Sequence, residues 1–359
     1  MKFTIPANAL ADAAAFAAKG ISPRPANPVL SGLLIEAATG ALRISGFDYD
    51  KSARTQAAAD VERDGNALLP GKMFTDIVKK FGKKTVTVEV DGTAAKLTAG
   101  SAVFTIGSMS VTDFPPMPPL PQSAGTVDGD VFAAAVAQII DAASTDAAVP
   151  ALMGVKVISD GNELILLATD RYRLAEVVVP WTPAGDGFEA LVRATWLRDA
   201  AKGLAGETQI LIDGNNVGIR SGNRATTTTV LDQDFPKIRT LFPKSTETEI
   251  VVDRAELADV VSRVGLVAER NTPLRITASG SEMTVDAGTG EAAQGQETIP
   301  CEVNGTDVVV AVNPGYLGWS LSVTPSENIT LGFQENRGKP VLITGTEALS
   351  HLIMPVRLP

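Results

Sequence analysis

The sequence predicts an α+β protein built from three copies of one module, each made of two βαβββ halves with helices on one face of antiparallel sheets. Three observations carry this. The stretches starting Ile5-Pro6-Ala7, Val127-Asp128-Gly129 and Val252-Asp253-Arg254 each read as a strand end, a capping turn and an amphipathic helix start, at offsets of 122 and 125 residues. Within each copy the pattern starts over, with second helices predicted over residues 71–81, 195–204 and 314–321. The first two copies end on the same punctuation, Asp113-Phe114-Pro115 before a proline-rich run to Pro121, and Asp234-Phe235-Pro236 before Phe242-Pro243. Proline stops strand pairing and stiffens a connection, which suits modules held at a fixed angle. The expected domains are 1–121, 122–245 and 246–359.

In chain order, each first helix is followed by a strand, at 30–35, 152–157 and 272–276. A turn then leads to another at 42–45, 164–167 and 283–285. After the second helices come strands at 85–90, 95–98 and 102–108 in the first copy, and at 209–212, 217–221 and 225–231 in the second.

At 359 residues, 45% hydrophobic and 20% charged, each module can bury a core of its own. Met1-Lys2-Phe3-Thr4-Ile5-Pro6 starts like a strand rather than a signal peptide, and no apolar run reaches the roughly 18 residues a membrane helix needs, so a cytoplasmic protein is expected. One cysteine, Cys301, and one histidine, His351, exclude an intrachain disulfide, Cys-rich metal clusters and sites needing two imidazoles. Cys301 reads as a core thiol. The carboxylates Asp48 and Asp50 read as solvated rather than as a Mg²⁺ site, and Gly288-Thr289-Gly290, without the lysine of a phosphate loop, reads as a turn. No catalytic residue, metal or cofactor is therefore expected. A net charge of −10 argues against gripping nucleic acid by bulk attraction, so any DNA role needs a local basic face.

Two segments carry more specific chemistry. Leu166-Leu167-Ala168-Thr169-Asp170-Arg171-Tyr172-Arg173-Leu174-Ala175 is a strand that leaves Thr169, Tyr172, Arg173 and Leu174 at a sheet edge, an apolar hollow beside charged donors that suits an extended peptide. The ending His351-Leu352-Ile353-Met354-Pro355-Val356-Arg357-Leu358-Pro359 is apolar where a free tail would be polar. In the helix at 71–81, Lys72 and Lys79 fall on one side, with Met73, Phe74, Ile77 and Phe81 largely on the other. Arg198 and Lys202 repeat this weakly against Leu197 and Leu204 in the second copy.

Together these segments and the threefold repeat resemble the bacterial DNA polymerase III β subunit, the sliding clamp, over essentially the whole chain. Gly46-Phe47-Asp48-Tyr49, residues 168–174 and the ending from Leu352 look most like actinobacterial clamps. The resemblance implies a ring closed by two chains, with helices lining the hole and sheets outside. It also implies duplex DNA threaded without regard to sequence, and as partners the polymerase III α subunit, the clamp loader and other proteins with a clamp-binding motif. It implies a peptide pocket of Leu152, Thr169, Tyr172, Arg173, Leu174, Pro236, Leu241, Asn313, Tyr316, Met354, Pro355 and Arg357. Ala151 and Thr240 depart from the family pattern, which carries an aromatic and an arginine at these places. DNA-facing residues would be Arg24, Lys72, Lys79, Arg198 and Lys202. The dimer would pair the edges 102–108 and 291–299, with Ile106 against Leu266. Two alternatives stay open: a divergent paralogue or peptide-binding scaffold of the same shape that does not support replication, and an enzyme on a repeated α/β frame.

Overall fold

The computed structural model describes residues 1–22, 24–38, 40–268, 272–288 and 293–357. Among these, six βαβββ halves follow one another, with two short extra strands. The first repeat comprises β1 (Lys2–Pro6), α1 (Ala7–Ala17), β2 (Gly32–Ala38), β3 (Ala41–Phe47), β4 (Lys51–Ala58), the short β5 (Asp60–Arg63), β6 (Gly65–Pro70), α2 (Gly71–Lys80), β7 (Thr85–Asp91), β8 (Ala94–Ala99) and β9 (Ala102–Gly107). The second comprises β10 (Gln122–Asp128), α3 (Gly129–Ile139), β11 (Gly154–Asp160), β12 (Glu163–Thr169), β13 (Arg173–Pro183), β14 (Glu189–Arg193), α4 (Ala194–Ala201), β15 (Glu207–Asp213), β16 (Asn216–Ser221) and β17 (Arg224–Thr229). The third comprises β18 (Thr248–Asp253), α5 (Arg254–Val264), β19 (Leu274–Ser279), β20 (Glu282–Ala287), β21 (Gly295–Pro300), the short β22 (Glu302–Asn304), β23 (Val308–Val312), α6 (Pro314–Val323), β24 (Asn328–Phe333), β25 (Val341–Thr346) and β26 (Leu349–Ile353).

The differences from expectation have local causes. Residues 28–31 and 150–153 form 3₁₀ turns opened by Pro28 and Pro150, so β2 and β11 start at glycines instead of at Leu30 and Leu152. A Cβ on Gly32 or Gly154 would come within 2.6 Å of the Leu68 or Leu191 side chain, so a larger residue there would require that leucine to move. Helix α4 stops at Ala201 because Gly203 turns left-handed at φ 76°, so Lys202 lies beyond the helix. The expected helix capping holds for α5, where the Asp253 carboxylate accepts from Glu256 N at 2.7 Å, but Pro6 supplies no side-chain cap to α1.

The chain divides into two compact units. The first holds residues 1–130, 182–186 and 199–230. It contains the antiparallel ladder β6-β2-β3-β4-β17-β16-β15-β10 and the sheet β5-β1-β7-β8-β9. Phe3, Leu10, Leu33, Phe74 and Val78 are among the residues of its core. The second unit holds the remainder, with the ladder β14-β11-β12-β13-β26-β25-β24-β18-β22 and the sheet β21-β20-β19-β23. Its core packs α5 and α6 through Leu257, Val261, Leu317 and Leu321.

Both ladders cross a repeat boundary. The last strand of one repeat's first half pairs with the last strand of the next repeat's second half: β4 with β17, then β13 with β26. Strand pairing thus joins successive repeats directly. At the first junction the pairing is reinforced by buried hydroxyls, Ser52 Oγ to Thr227 Oγ1 at 2.7 Å and Thr226 Oγ1 donating to Ser52 O at 2.8 Å. By the same rule β9 and β21 are left over. Among the described residues β9 pairs in a ladder only with β8, and β21 only with β20.

Candidate functional site

The two segments singled out in the sequence lie side by side. In the β13–β26 ladder Arg173 faces Ile353, Leu174 faces Leu352 and Ala175 faces His351, and the chain continues with Met354 N donating to Tyr172 O at 2.8 Å. Val356 N then donates to Ala311 O on β23 at 2.8 Å, so the ending is fastened at two points rather than loose. Leu358 and Pro359 lie outside the described residues.

The turn before β13 is held by side chains. Asp170 Oδ1 accepts from Tyr172 N and Arg173 N, each at 3.0 Å, and Thr169 Oγ1 accepts from Arg171 N at 3.1 Å while donating to Arg173 O at 2.8 Å. These bonds keep Arg171 at φ 84°, a conformation rare for a residue with a Cβ. The first repeat has the same turn: Asp48 accepts from Asp50 N and Lys51 N, and Tyr49 sits at φ 74°. Burial raises the Asp48 carboxyl above its ordinary value. Asp48 therefore holds a turn, and among the described residues no metal-holding cluster of acids, histidines and cysteines occurs.

Arg173 is the hub. Its Nε donates to Asp170 Oδ2 at 3.0 Å, a second guanidinium nitrogen donates to the Asp141 carbonyl, and its planar group lies 5.0 Å from the Tyr316 ring centre and 4.5 Å from that of Trp319. A guanidinium over an aromatic ring is worth about 0.5–2 kcal/mol for each ring it covers. Tyr316 is set by Asn313, whose side chain caps α6 by accepting from Gly315 N and Tyr316 N, and it stacks on Tyr172 at 6.2 Å. Burial, with the Asp170 charge, raises the Tyr316 phenol above its ordinary value, so it stays a neutral hydrogen-bonding group.

Of the expected pocket residues, Tyr172, Arg173 and Tyr316 line one cavity of about 590 Å³, and Leu241, Met354, Pro355 and Arg357 line another of about 1210 Å³. The remaining five do not line them. Leu174 is 2% exposed and packs with Ile165, Leu167, Ile238 and Leu352, while Leu152 and Thr169 are also buried. Thr169 and Leu174 face each other in the β12–β13 ladder, and Leu152 lies in the 3₁₀ turn opened by Pro150. Pro236 is exposed, and its carbonyl accepts from Ile238 N at 2.8 Å. Trp319 went unnoticed in the sequence, although its spacing of three from Tyr316 on one helix is a readable signal.

Helix α2 exposes Lys72 and Lys79, with Lys80, and none of them is in an ion pair among the described residues. Phe74 and Val78 are buried as expected, but Met73 is 55% exposed and belongs to the outer face. Arg24 is exposed, and its neighbour Pro23 lies outside the described residues. Arg198 pairs with Asp141 and Lys202 with Asp199, so the positive charge of both is already answered. At the expected dimer edge, Ile106 is 5% exposed and part of the core, while Phe104 at 44% and Val103 at 54% face outward. Phe104 leans edge-on against Phe81 and closes a hollow of about 610 Å³ with Met73 and Ile77. Leu266 is 85% exposed. Residues 291 and 292 of the second edge lie outside the described residues. Cys301 is partly buried against the third repeat's core, which raises its thiol above the ordinary value.

Six βαβββ halves, paired across repeat boundaries and leaving β9 and β21 as open edges, define a protein of the DNA-clamp class. Residues 1–118, 126–237 and 239–357 match the N-terminal, central and C-terminal domains of the DNA polymerase III beta subunit. The chain is 46% identical over 307 residues to the beta sliding clamp of Micrococcus luteus, covering 84% of this chain and 99% of that one. It is 37% identical over the full length of both chains to the beta sliding clamp of Streptomyces coelicolor. The crystal structure of the DNA polymerase sliding clamp from Bacillus subtilis superposes with a TM-score of 0.94 at 25% identity, covering all of both chains. The chain belongs to the DNA polymerase III beta subunit family, as an actinobacterial-type beta sliding clamp. It is a processivity factor of DNA polymerase III and not an enzyme.

Proposed function

We propose that two copies of this chain close head to tail into a ring around duplex DNA, without regard to base sequence, and that the ring tethers the polymerase III α subunit, the clamp loader and other proteins through one short apolar motif. The observation that carries the tethering is the β13–β26 ladder, which brings Tyr172, Arg173, Met354 and Pro355 together from segments about 180 residues apart. Tyr172 and Arg173 with Tyr316 line one hollow, and Met354 and Pro355 with Leu241 and Arg357 line a second, so that the two together take one or two leucine or phenylalanine side chains. Each such side chain is worth about 1.5–3 kcal/mol when fully buried. The polarisable Met354 adapts to several partners.

Ring closure rests on the pairing rule. In a repeating architecture the edges left over at the two ends, β9 and β21, are the ones a second copy completes. Leu266 of one chain then enters the hollow beside Phe104 of the other. Arg24, Lys72 and Lys79 supply weak phosphate contacts, and Arg198 and Lys202 add little because they are paired within the chain. We take the modules to meet near residues 121 and 245 and the protein to act in the cytoplasm; no described helix is long and apolar enough to cross a membrane.

The test is fluorescence anisotropy with a peptide carrying leucine and phenylalanine anchors. Met354→Asp puts an unpaired carboxylate into the hollow and should weaken binding at least tenfold while the protein stays dimeric. Unchanged affinity in a dimeric variant would remove the tethering site from this surface.

A further inference from the structure

The larger cavity, about 1210 Å³, has a charge pattern that the apolar motif does not use. Its lining includes Arg239, Lys244, Arg337, Lys339 and Arg357, and no aspartate or glutamate, in a chain where 41 acidic residues outnumber 31 basic ones. Arg239 is answered from outside the groove by Glu176 at 3.0 Å. Arg337 is held by neutral acceptors, Gln334 O, Thr248 Oγ1 and Thr306 Oγ1, which fix its direction and leave its charge uncompensated. Lys244, Lys339 and Arg357 are exposed and in no ion pair among the described residues. Four uncompensated cations around one groove raise its potential and favour an anionic occupant.

The floor gives the shape of that occupant. Strand β23 ends its sheet, pairing in a ladder with β19 alone among the described residues. Ala311 O on its outer edge accepts from Val356 N. Because backbone groups alternate along a strand, those of Val309, two residues back, face the same open edge. The Val309 side chain is 51% exposed. An open strand edge beside apolar side chains recognises an extended peptide. A nucleic-acid strand would call for stacking platforms, and the one aromatic of the lining, Phe242, is packed against the cluster around Leu174.

We propose that this groove takes an acidic, extended segment flanking the apolar motif of a docked protein, so that aspartates or glutamates beside the motif decide which partners bind most tightly. This rests on the peptide-site reading above.

The test uses the intact dimer and three labelled peptides sharing one leucine and phenylalanine motif, flanked by Asp/Glu, by Asn/Gln or by Lys. The acidic peptide should bind about tenfold tighter than the neutral one at low salt, with the gap closing at high salt. The double variant Lys244→Ala, Lys339→Ala should abolish that gap and leave the neutral peptide's affinity unchanged. Equal binding of acidic and neutral peptides by the wild type overturns the inference while the peptide site stands. No binding of any of the three removes both. Displacement of the acidic flank by single-stranded oligonucleotide, with that displacement abolished in the double variant, overturns it in favour of a nucleic-acid groove.

Discussion

His351 shows how one residue links the tether site to stability. It is fully buried on β26, bonded through Nδ1 to Ser320 Oγ at 2.6 Å, and its ring lies 4.6 Å from Trp319, which in turn carries Arg173. Burial lowers its pKa from 6.5 to about 4, against an opposing effect of the Gln138 backbone carbonyl, and the nearby Arg173 charge adds a smaller lowering. The unfolded chain therefore binds this proton between pH 6.5 and 4 while the folded chain does not. Stability from this group is complete above pH 6.5 and falls as the pH drops, by about 3 kcal/mol in all. Urea denaturation midpoints from pH 7.5 to 4.5 should decline less steeply for His351→Gln than for the wild type. Parallel profiles would mean that the imidazole is not kept neutral by its surroundings. At this scale the sequence was only half legible. Leu174 and Ile106 were expected at a pocket and a dimer edge and Met73 on the core side of its helix, but which way each side chain points depends on pleat and helix phase, and the structure turns the first two inward and the third outward.

At the scale of elements, the helices and most strands were readable because they repeat, and repetition supplies each pattern several times over. The strand β4 was missed, since Lys51-Ser52-Ala53-Arg54-Thr55-Gln56-Ala57-Ala58 has no apolar alternation. It is a strand because β3 and β17 pair with it on both sides, a tertiary cause that local propensity cannot report. The partnership of β13 with β26 was likewise hidden. Two segments were recognised as unusual, and only the ladder explains why they belong together. The same ladder logic underlies the proposal that β9 is the dimer edge, with the exposed Phe104 as its anchor. Phe104→Asp should give a folded chain that sediments as a monomer at micromolar concentration, because it puts an unpaired charge into an apolar contact. Ile106→Asp is the wrong probe: with 5% exposure in the core, it would unfold the first repeat. A Phe104→Asp protein that remained dimeric would move the interface away from β9.

For the whole molecule, the difficulty is that a chain of net charge −10 works on a polyanion. Bulk attraction is absent, and the free cations of α2 with Arg24 are too few to hold a duplex at physiological salt, where screening confines each contact to roughly 8 Å. Closure of the proposed ring resolves this, because an enclosed duplex is retained by topology and weak phosphate contacts then exchange easily as the ring slides. Acidic residues elsewhere oppose adhesion to DNA that is not enclosed. Two consequences differ from those of a protein that binds DNA from one side. After loading onto a nicked circle, the protein should be retained for long times, and cutting the circle should release it by sliding off the ends. Replacing Arg24, Lys72 and Lys79 by alanine should reduce the yield of loading and flatten its salt dependence, by up to about 0.9 in the logarithmic slope for each phosphate no longer neutralised. It should leave retention on intact circles nearly unchanged, since closure and not phosphate binding sets the escape rate. Equal retention on circular and linear DNA, or a footprint at a preferred sequence, would show that direct binding rather than closure holds this protein on DNA.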